Sequence, residues 1–262
     1  MSALGKIRRR VRDALPPALG YCLTLRANPL LGLAFLLFRR RFHLAGMQFA
    51  VPLKGQSWAS LATYWFDDYE APERAFCDRF IRPGDRVCEL GGCLGIVSMT
   101  INRRLDQPAT HLVIEANPQL IPLLEANRAL NHGAYRVQHG AVGDGSALPL
   151  DVSQGLLKSM CARGEAPRVE IVPGCTVDTL FAQHGPFDVL VMDVEGAEEQ
   201  VLLGEGTAWR GVRLIILEWH PSIIGEDAFH RAQQALRDAG FGCVASQPGD
   251  PHIVEAWEKK TA

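Results

Sequence analysis

After residue 50 the chain alternates between short apolar runs and longer stretches whose apolar positions recur every three or four residues, the pattern of a parallel sheet covered by helices. The runs predict strands over 86–90 (RVCEL), 111–116 (HLVIEA), 135–142, 188–193 (DVLVMD) and 213–219, and the periodic stretches predict helices over 95–105, 117–131, 197–204 and 226–239. Strands near 241–247 and 252–258 then add an antiparallel hairpin to five parallel strands. Asn117 ahead of Pro118 offers a capping acceptor followed by Pro at a first helical position, and Gly240 supplies the left-handed residue that ends a helix. Residues 147–152 and 168–173 read as an inserted β-hairpin around a polar loop, and 51–82 as a mostly helical lead-in.

Residues 29–38 (PLLGLAFLLF) are apolar without a break, but a bilayer span needs about 20 such residues, and Arg39, Arg40 and Arg41 follow at once. Two arrangements satisfy this pattern. One is a helix packed on the main domain with its basic ends in water; the other is a monotopic anchor dipping into a lipid interface between clusters of arginine. Charge sharpens the picture, because the formal net charge of −2 conceals nine Lys or Arg and one Asp within residues 1–45, which leaves −10 on the rest. A nucleic-acid enzyme carries a basic working surface, so no nucleic acid is expected as partner. Seven cysteines without a CxxC pair argue against both a zinc site and a disulfide framework. They fit a cytoplasmic protein, peripheral at most to the inner face of a membrane; Pro16 and Pro17 stand where a secretory signal would begin its apolar core. With 262 residues, 47% of them hydrophobic, the chain is expected to divide into a basic and apolar segment over 1–50, the lead-in over 51–82, and one α/β domain over 83–262.

The candidate chemistry lies at strand ends. The strand RVCEL runs into Gly91-Gly92-Cys93-Leu94-Gly95 and then a helix, so a ligand can approach the backbone at the carboxyl edge of the sheet. A dinucleotide fingerprint from Gly91 would need glycine at Cys93 and Ile96 and fails. Glu89 just ahead of the turn repels a pyrophosphate and favours a cationic ligand such as S-adenosylmethionine. Glu115 ends the next strand 20 residues after Gly95, a spacing suited to accepting the hydroxyls of a ribose. Two more strand ends are rich in titratable groups: Asp193-Val194-Glu195-Gly196-Ala197-Glu198, and Glu218-Trp219-His220 before Pro221. In the first loop Glu198 also suits a helix N-terminus, and His220 suits a base near neutral pH.

Together these residues resemble the FkbM-type S-adenosylmethionine-dependent methyltransferases over roughly residues 69–220. The likeness is carried by Tyr69-Glu70, RPGDRVCELGGCLG, Glu115 with Asn117-Pro118, AVGD at 141–144, DVEGAE at 193–198 and the Glu218-Trp219-His220 strand end. Cys93 stands where that family usually has Asn, and Val191 where it usually has Lys. The resemblance implies a class I methyltransferase (Rossmann-like) sheet and methylation of a hydroxyl on a sugar, glycolipid or secondary metabolite. It implies a cofactor site of Glu89, Gly91, Gly92, Gly95, Glu115, Ala116, Ala141 and Asp193.

Methyl transfer needs the donor carbon and acceptor oxygen aligned, and an alcohol needs a base. Asp193 aided by His220 is expected to take the proton, with Glu195 and Glu218 orienting a small-molecule or glycan acceptor. No metal site is expected; Mg²⁺ on Asp193 and a neighbouring carboxylate is the less favoured route. The rival readings are an NAD-dependent dehydrogenase, against which the broken glycine fingerprint speaks, and a non-catalytic binding module of the same fold at the membrane.

Overall fold

The structure is a computed structural model and describes residues 28–39, 41–53, 57–65, 69–152, 160–161, 168–249 and 252–260. The basic cluster from Lys6 to Arg26 and most of the polar loop expected between 152 and 168 lie outside the described residues. The chain divides into two compact units, 1–69 and 70–262.

In the first unit, α1 (Pro29–Ala34) is capped by the Asn28 side chain, which accepts the Leu30 N–H, and runs into a turn of π-helix over Phe35–Arg39. Strands β1 (Arg41–Leu44) and β2 (Met47–Ala50) form a hairpin whose two turn residues, Ala45 and Gly46, both have positive φ, the geometry that matches strand twist. The short helix α2 (Trp58–Leu61) continues as a 3-10 turn over Ala62–Trp65. Gly32 lets α1 approach α2 at backbone distance, since a Cβ there would lie 1.6 Å from the Trp58 carbonyl oxygen. Phe35, Phe42, Phe49 and Tyr64 form the aromatic interior of this unit. The run 29–38 is thus split: Gly32 and Phe35 are buried, while Leu30, Leu37 and Phe38 are exposed. Among the described residues no helix is long and apolar enough to cross a membrane.

The second unit opens with α3 (Ala71–Phe80) and then alternates strand and helix: β3 (Val87–Leu90), α4 (Ile96–Asn102), β4 (Leu112–Glu115), α5 (Ile121–Leu130) and β5 (Arg136–His139). A side layer follows, with β6 (Ala141–Val142), β7 (Leu148–Asp151), β8 (Met160–Cys161), β9 (Val169–Val172) and β10 (Gly174–Cys175). The main layer resumes with α6 (Val177–His184), β11 (Val189–Met192), α7 (Glu198–Leu203), β12 (Leu214–Trp219), α8 (Pro221–Ile224), α9 (Glu226–Asp238), β13 (Phe241–Pro248) and β14 (Ile253–Lys259).

One seven-stranded sheet organises this unit in the order β5-β4-β3-β11-β12-β14-β13. The first five are parallel; β14 runs antiparallel between β12 and β13. Strands β3, β4 and β11 are buried at every position, as expected where helices cover both faces. Alternate residues then serve opposite layers. Cys88, Leu90, Leu190, Met192, Ile215 and Leu217 pack towards α6, α7 and α9, whereas Val87, Val189, Val191, Leu214 and Ile216 pack towards α3 and α4. The terminal hairpin is tied in by a buried carboxylate: Glu255 accepts the indole N–H of both Trp219 and Trp257, at 2.8 and 2.9 Å, and is reached by Gln233.

The inserted hairpin is present, β7 pairing antiparallel with β9 from Leu148↔Val172 to Asp151↔Val169. Gly240 ends α9 with φ +86°. One expected helix start is corrected: α5 begins at Ile121, not after Asn117. The Asn117 side chain accepts the Gln119 N–H and its carbonyl accepts the Leu120 N–H, so Asn117-Pro118 makes a turn before the helix.

Candidate functional site at the carboxyl edge of the sheet

Strand order reverses between β3 and β11, because β3 continues through α4 to β4 on one side while β11 continues through α7 to β12 on the other. Loops leaving the two strands therefore part and leave a crevice at their carboxyl ends, where α/β sheets bind ligands. A pocket occupies this place. Five of its lining residues are acids, Glu70, Glu73, Glu89, Asp193 and Glu218, set among Gly91, Gly92 and the ends of β11 and β12.

The glycine turn is held open by backbone geometry. Gly91 has φ +95° and donates its N–H to the Ile114 carbonyl, while the Asp193 N–H bonds to the Leu90 carbonyl. Cys93 is also left-handed, at φ +44°, and its N–H donates to Glu115 Oε2 at 2.7 Å; the Asn117 N–H donates to Oε1 at 2.7 Å. The Gly92 N–H also acts on this carboxylate, which is thereby oriented by backbone and keeps part of its acceptor capacity for a ligand. Burial raises the Glu115 carboxyl above its ordinary range, with the N–H groups of Asn117 and Cys93 acting against that. Glu89 is 1% exposed; its two oxygens meet Ser98 Oγ at 2.9 Å and His111 Nε2 at 2.9 Å.

The loop after β11 folds tightly, with left-handed backbone at Glu195 (φ +45°) and Gly196 (φ +100°). A non-glycine residue in that region costs about 1–2 kcal/mol, and Glu70, Cys93 and Glu195 all pay it at this edge. The turn brings Asp193 and Glu195 to His220 at the end of β12. His220 is 1% exposed, and its Nδ1 lies 2.6 Å from Oε1 of Glu198, which is wholly buried in the first turn of α7. Its Nε2 faces Glu195 Oε2 at 3.4 Å, Asp193 Oδ1 at 3.8 Å and Glu218 Oε1 at 4.0 Å. Glu218 shares the pocket wall with Glu73, and its Oε1 lies 3.5 Å from His252 Nδ1.

Desolvation is the main force on these groups. It holds Asp193 above the usual carboxylate range, opposed by the positive charge of His220, and holds Glu218 up with the added repulsion of Asp193. For His220 burial pushes downward, but the bond to Glu198 and the charges of Asp193, Glu198 and Glu195 outweigh it and raise the imidazole.

Of the residues expected from sequence, Glu89, Gly91, Gly92, Asp193 and Glu218 line the pocket, and Glu195 and His220 adjoin Asp193. Gly95, Glu115, Ala116 and Ala141 are not among its lining residues. Gly95 caps α4, the Ala116 carbonyl faces His139 Nε2 at 3.1 Å, and Ala141 is buried with Leu150, Val152 and Val172 under the side layer. Two contributors are not singled out from sequence, Glu73 in the pocket wall and His252; Glu70 and Glu198 are singled out but given no place in the site. The spacing of Glu70 and Glu73 places both on one face at the start of a helix, a signal that was available.

The model of the FkbM methyltransferase domain matches residues 91–243, more than half of the chain. No curated protein matches the sequence. Among solved structures, a putative transferase from Pyrococcus horikoshii is similar over 98% of this chain and 99% of its own, at 11% identity and a TM-score of 0.53. A putative O-methyltransferase from Klebsiella pneumoniae is similar over 74% and 82%, at 17% identity and a TM-score of 0.44. The strand order, with an antiparallel strand second from one edge, is that of the class I methyltransferase fold. On the sequence match and the strand order together, this chain belongs to the FkbM methyltransferase family.

Proposed function

We propose that the protein is an O-methyltransferase that uses S-adenosylmethionine to methylate a hydroxyl of a sugar, glycolipid or secondary metabolite. The observation that carries this is the acidic pocket at the sheet's switch point, five acids beside a glycine turn, which suits a cationic donor and opposes a pyrophosphate. The residues fit the cofactor: Gly91 and Gly92 bring bare backbone to the pocket, Glu115 has acceptor capacity left for ribose hydroxyls, and Glu89 adds a carboxylate near the amino-acid end. When bound, S-adenosylmethionine supplies an electrophilic methyl group on a cationic sulfur.

The chain's own groups do the rest. Asp193 stands on the pocket wall and receives the acceptor's proton, and His220, 3.8 Å from Asp193 Oδ1, stabilises the resulting charge distribution. Glu195 and Glu218 flank it and orient the acceptor hydroxyls by hydrogen bonds. Burial of His220 strengthens its interactions with these carboxylates relative to water.

Calorimetric titration of the purified chain with S-adenosylmethionine and with NAD is the direct test. The first should bind and the second should not; Glu115→Ala should weaken the first at least tenfold. Binding of NAD alone favours a dehydrogenase, binding of neither favours a non-catalytic module, and unchanged affinity in Glu115→Ala removes the ribose role.

The acceptor is proposed to be membrane-proximal. Exposed Leu30, Leu37 and Phe38 next to the arginine-rich segment support contact between residues 1–45 and anionic lipid. Sedimentation with phosphatidylglycerol vesicles, but not phosphatidylcholine vesicles, is expected, and reduced by Leu37→Ser with Phe38→Ser. Equal sedimentation with both lipids, or with neither, removes this contact.

A further inference from the structure

Asp193 carries an oxygen, Oδ1, that is shielded from solvent and has no hydrogen-bond partner among the described residues although the chain has folded around it. The His220 ring is 1% exposed; its Nδ1 meets Glu198, and its Nε2 faces a space bounded by carboxylates, with Glu195 at 3.4 Å, Asp193 at 3.8 Å and Glu218 at 4.0 Å. Buried polar groups are nearly always satisfied, so an unbonded Asp193 Oδ1 facing a buried imidazole nitrogen calls for a missing partner.

The spacing identifies the kind of partner. Donor atoms bound to one divalent cation at about 2.0–2.2 Å stand about 3.0–4.2 Å apart, depending on the angle between them. His220 Nε2 lies 3.4 Å from Glu195 Oε2 and 3.8 Å from Asp193 Oδ1, and ligand atoms of all three fall within 4.8 Å of one another. We propose that Asp193, Glu195 and His220 bind a divalent cation beside the methyl-donor pocket. Glu198 is its outer partner: accepting from Nδ1–H fixes the tautomer that leaves the Nε2 lone pair facing the two carboxylates, the arrangement that supports metal-bound histidines.

Glu218 and His252 make a second set with the same imidazole. Nε2 can serve one ion only, and the set with Asp193 is preferred because Nε2 lies 3.4 Å from Glu195 and 3.8 Å from Asp193 against 4.0 Å from Glu218, and because Asp193 Oδ1 has no bond. One imidazole with two carboxylates suits Mn²⁺ and its transition-metal neighbours better than Mg²⁺, which favours oxygen and retains most of its water. Three protein ligands leave positions open for acceptor oxygens. This deepens the proposed methyl transfer, on which it rests for its purpose: a vicinal diol held by the cation would have one hydroxyl acidified next to the donor pocket, its proton passing to the second carboxylate oxygen of Asp193.

The test uses the full chain, stripped by chelator and titrated with Mn²⁺ alone, read by calorimetry and by loss of the free Mn²⁺ resonance signal. One saturable site per chain is expected. Glu195→Gln, a change in a half-exposed loop residue, and His220→Ala should each weaken Mn²⁺ binding at least tenfold, and Glu198→Gln by about 10–100-fold. Absence of saturable binding overturns the proposal, as does binding unaltered by Glu195→Gln. Because no methyl donor is present, a chain that binds S-adenosylmethionine but not Mn²⁺ loses the cation site and keeps the methyltransferase reading.

Discussion

Asp193→Asn should reduce methyl transfer by about a thousandfold or more, the scale of losing a general base together with its alignment, while affinity for S-adenosylmethionine stays within a few-fold. The amide has the same shape and can still accept through its oxygen, so the turn should persist; the backbone bond from the Asp193 N–H to the Leu90 carbonyl does not involve the side chain. What the variant removes is the negative charge at Oδ1, the atom that faces His220 at 3.8 Å. The donor pocket keeps its other acids, Glu70, Glu73, Glu89 and Glu218, and so keeps its preference for a cation. Single-turnover measurement of methyl transfer beside calorimetric binding separates these effects. Parallel loss of turnover and affinity would move Asp193 from the acceptor's chemistry to holding the donor, and retained turnover would exclude it from proton transfer altogether.

The parts of this architecture legible in the sequence are those fixed by local pattern. Strands β3, β4 and β11 are read easily because a strand buried on both faces is apolar at nearly every position, and the glycine turn follows one of them directly. Acids at strand ends are legible because the sheet's direction alone places Glu115, Asp193 and Glu218 at one edge. Helix α6 was not predicted: its buried residues are only Val177 and Leu180, and it opens on a Thr176–Thr179 capping box without the acid that usually marks one. Strand β10 pairs over two residues, too short for any alternation to register, and the strand expected over 135–142 divides into β5 and β6, which join different sheets. In the site, Glu198 suits the start of a helix so well that its local role conceals its distant one, the contact with His220 across 22 positions. His252 needs the return of the terminal hairpin to reach Glu218, and nothing near it in the chain announces that. The approach of Glu195 to the imidazole is likewise hidden in the sequence, because it depends on a left-handed backbone that a glutamate rarely adopts.

Gly91→Ala should lower the unfolding temperature by about 10 °C, from a cost of about 3–5 kcal/mol, and abolish measurable binding of the methyl donor. Two independent strains combine. At φ +95° an L side chain is disfavoured by about 1–2 kcal/mol, and the added Cβ would stand 1.9 Å from the Asp193 carbonyl oxygen, a backbone atom that no rotamer change can move. Relief requires the ends of β3 and β11 to separate, and those two ends are the walls of the acidic pocket. Stability and ligand binding are therefore coupled at this residue, unlike at Gly84, where a Cβ meets nothing within 4 Å and Ala should be neutral in both. Gly95→Ala is intermediate: φ is +79°, but the obstructing atoms at 2.8 Å are side-chain atoms of Leu124 and Tyr135, which can shift. Thermal unfolding and donor titration of the three variants should rank Gly91, Gly95, Gly84 in decreasing severity. If Gly91→Ala unfolds and binds like the native chain, the close approach of the two loops is not what shapes the donor pocket. If it is destabilised but still binds, the pocket's walls tolerate separation and the donor is held from the Glu115 side alone.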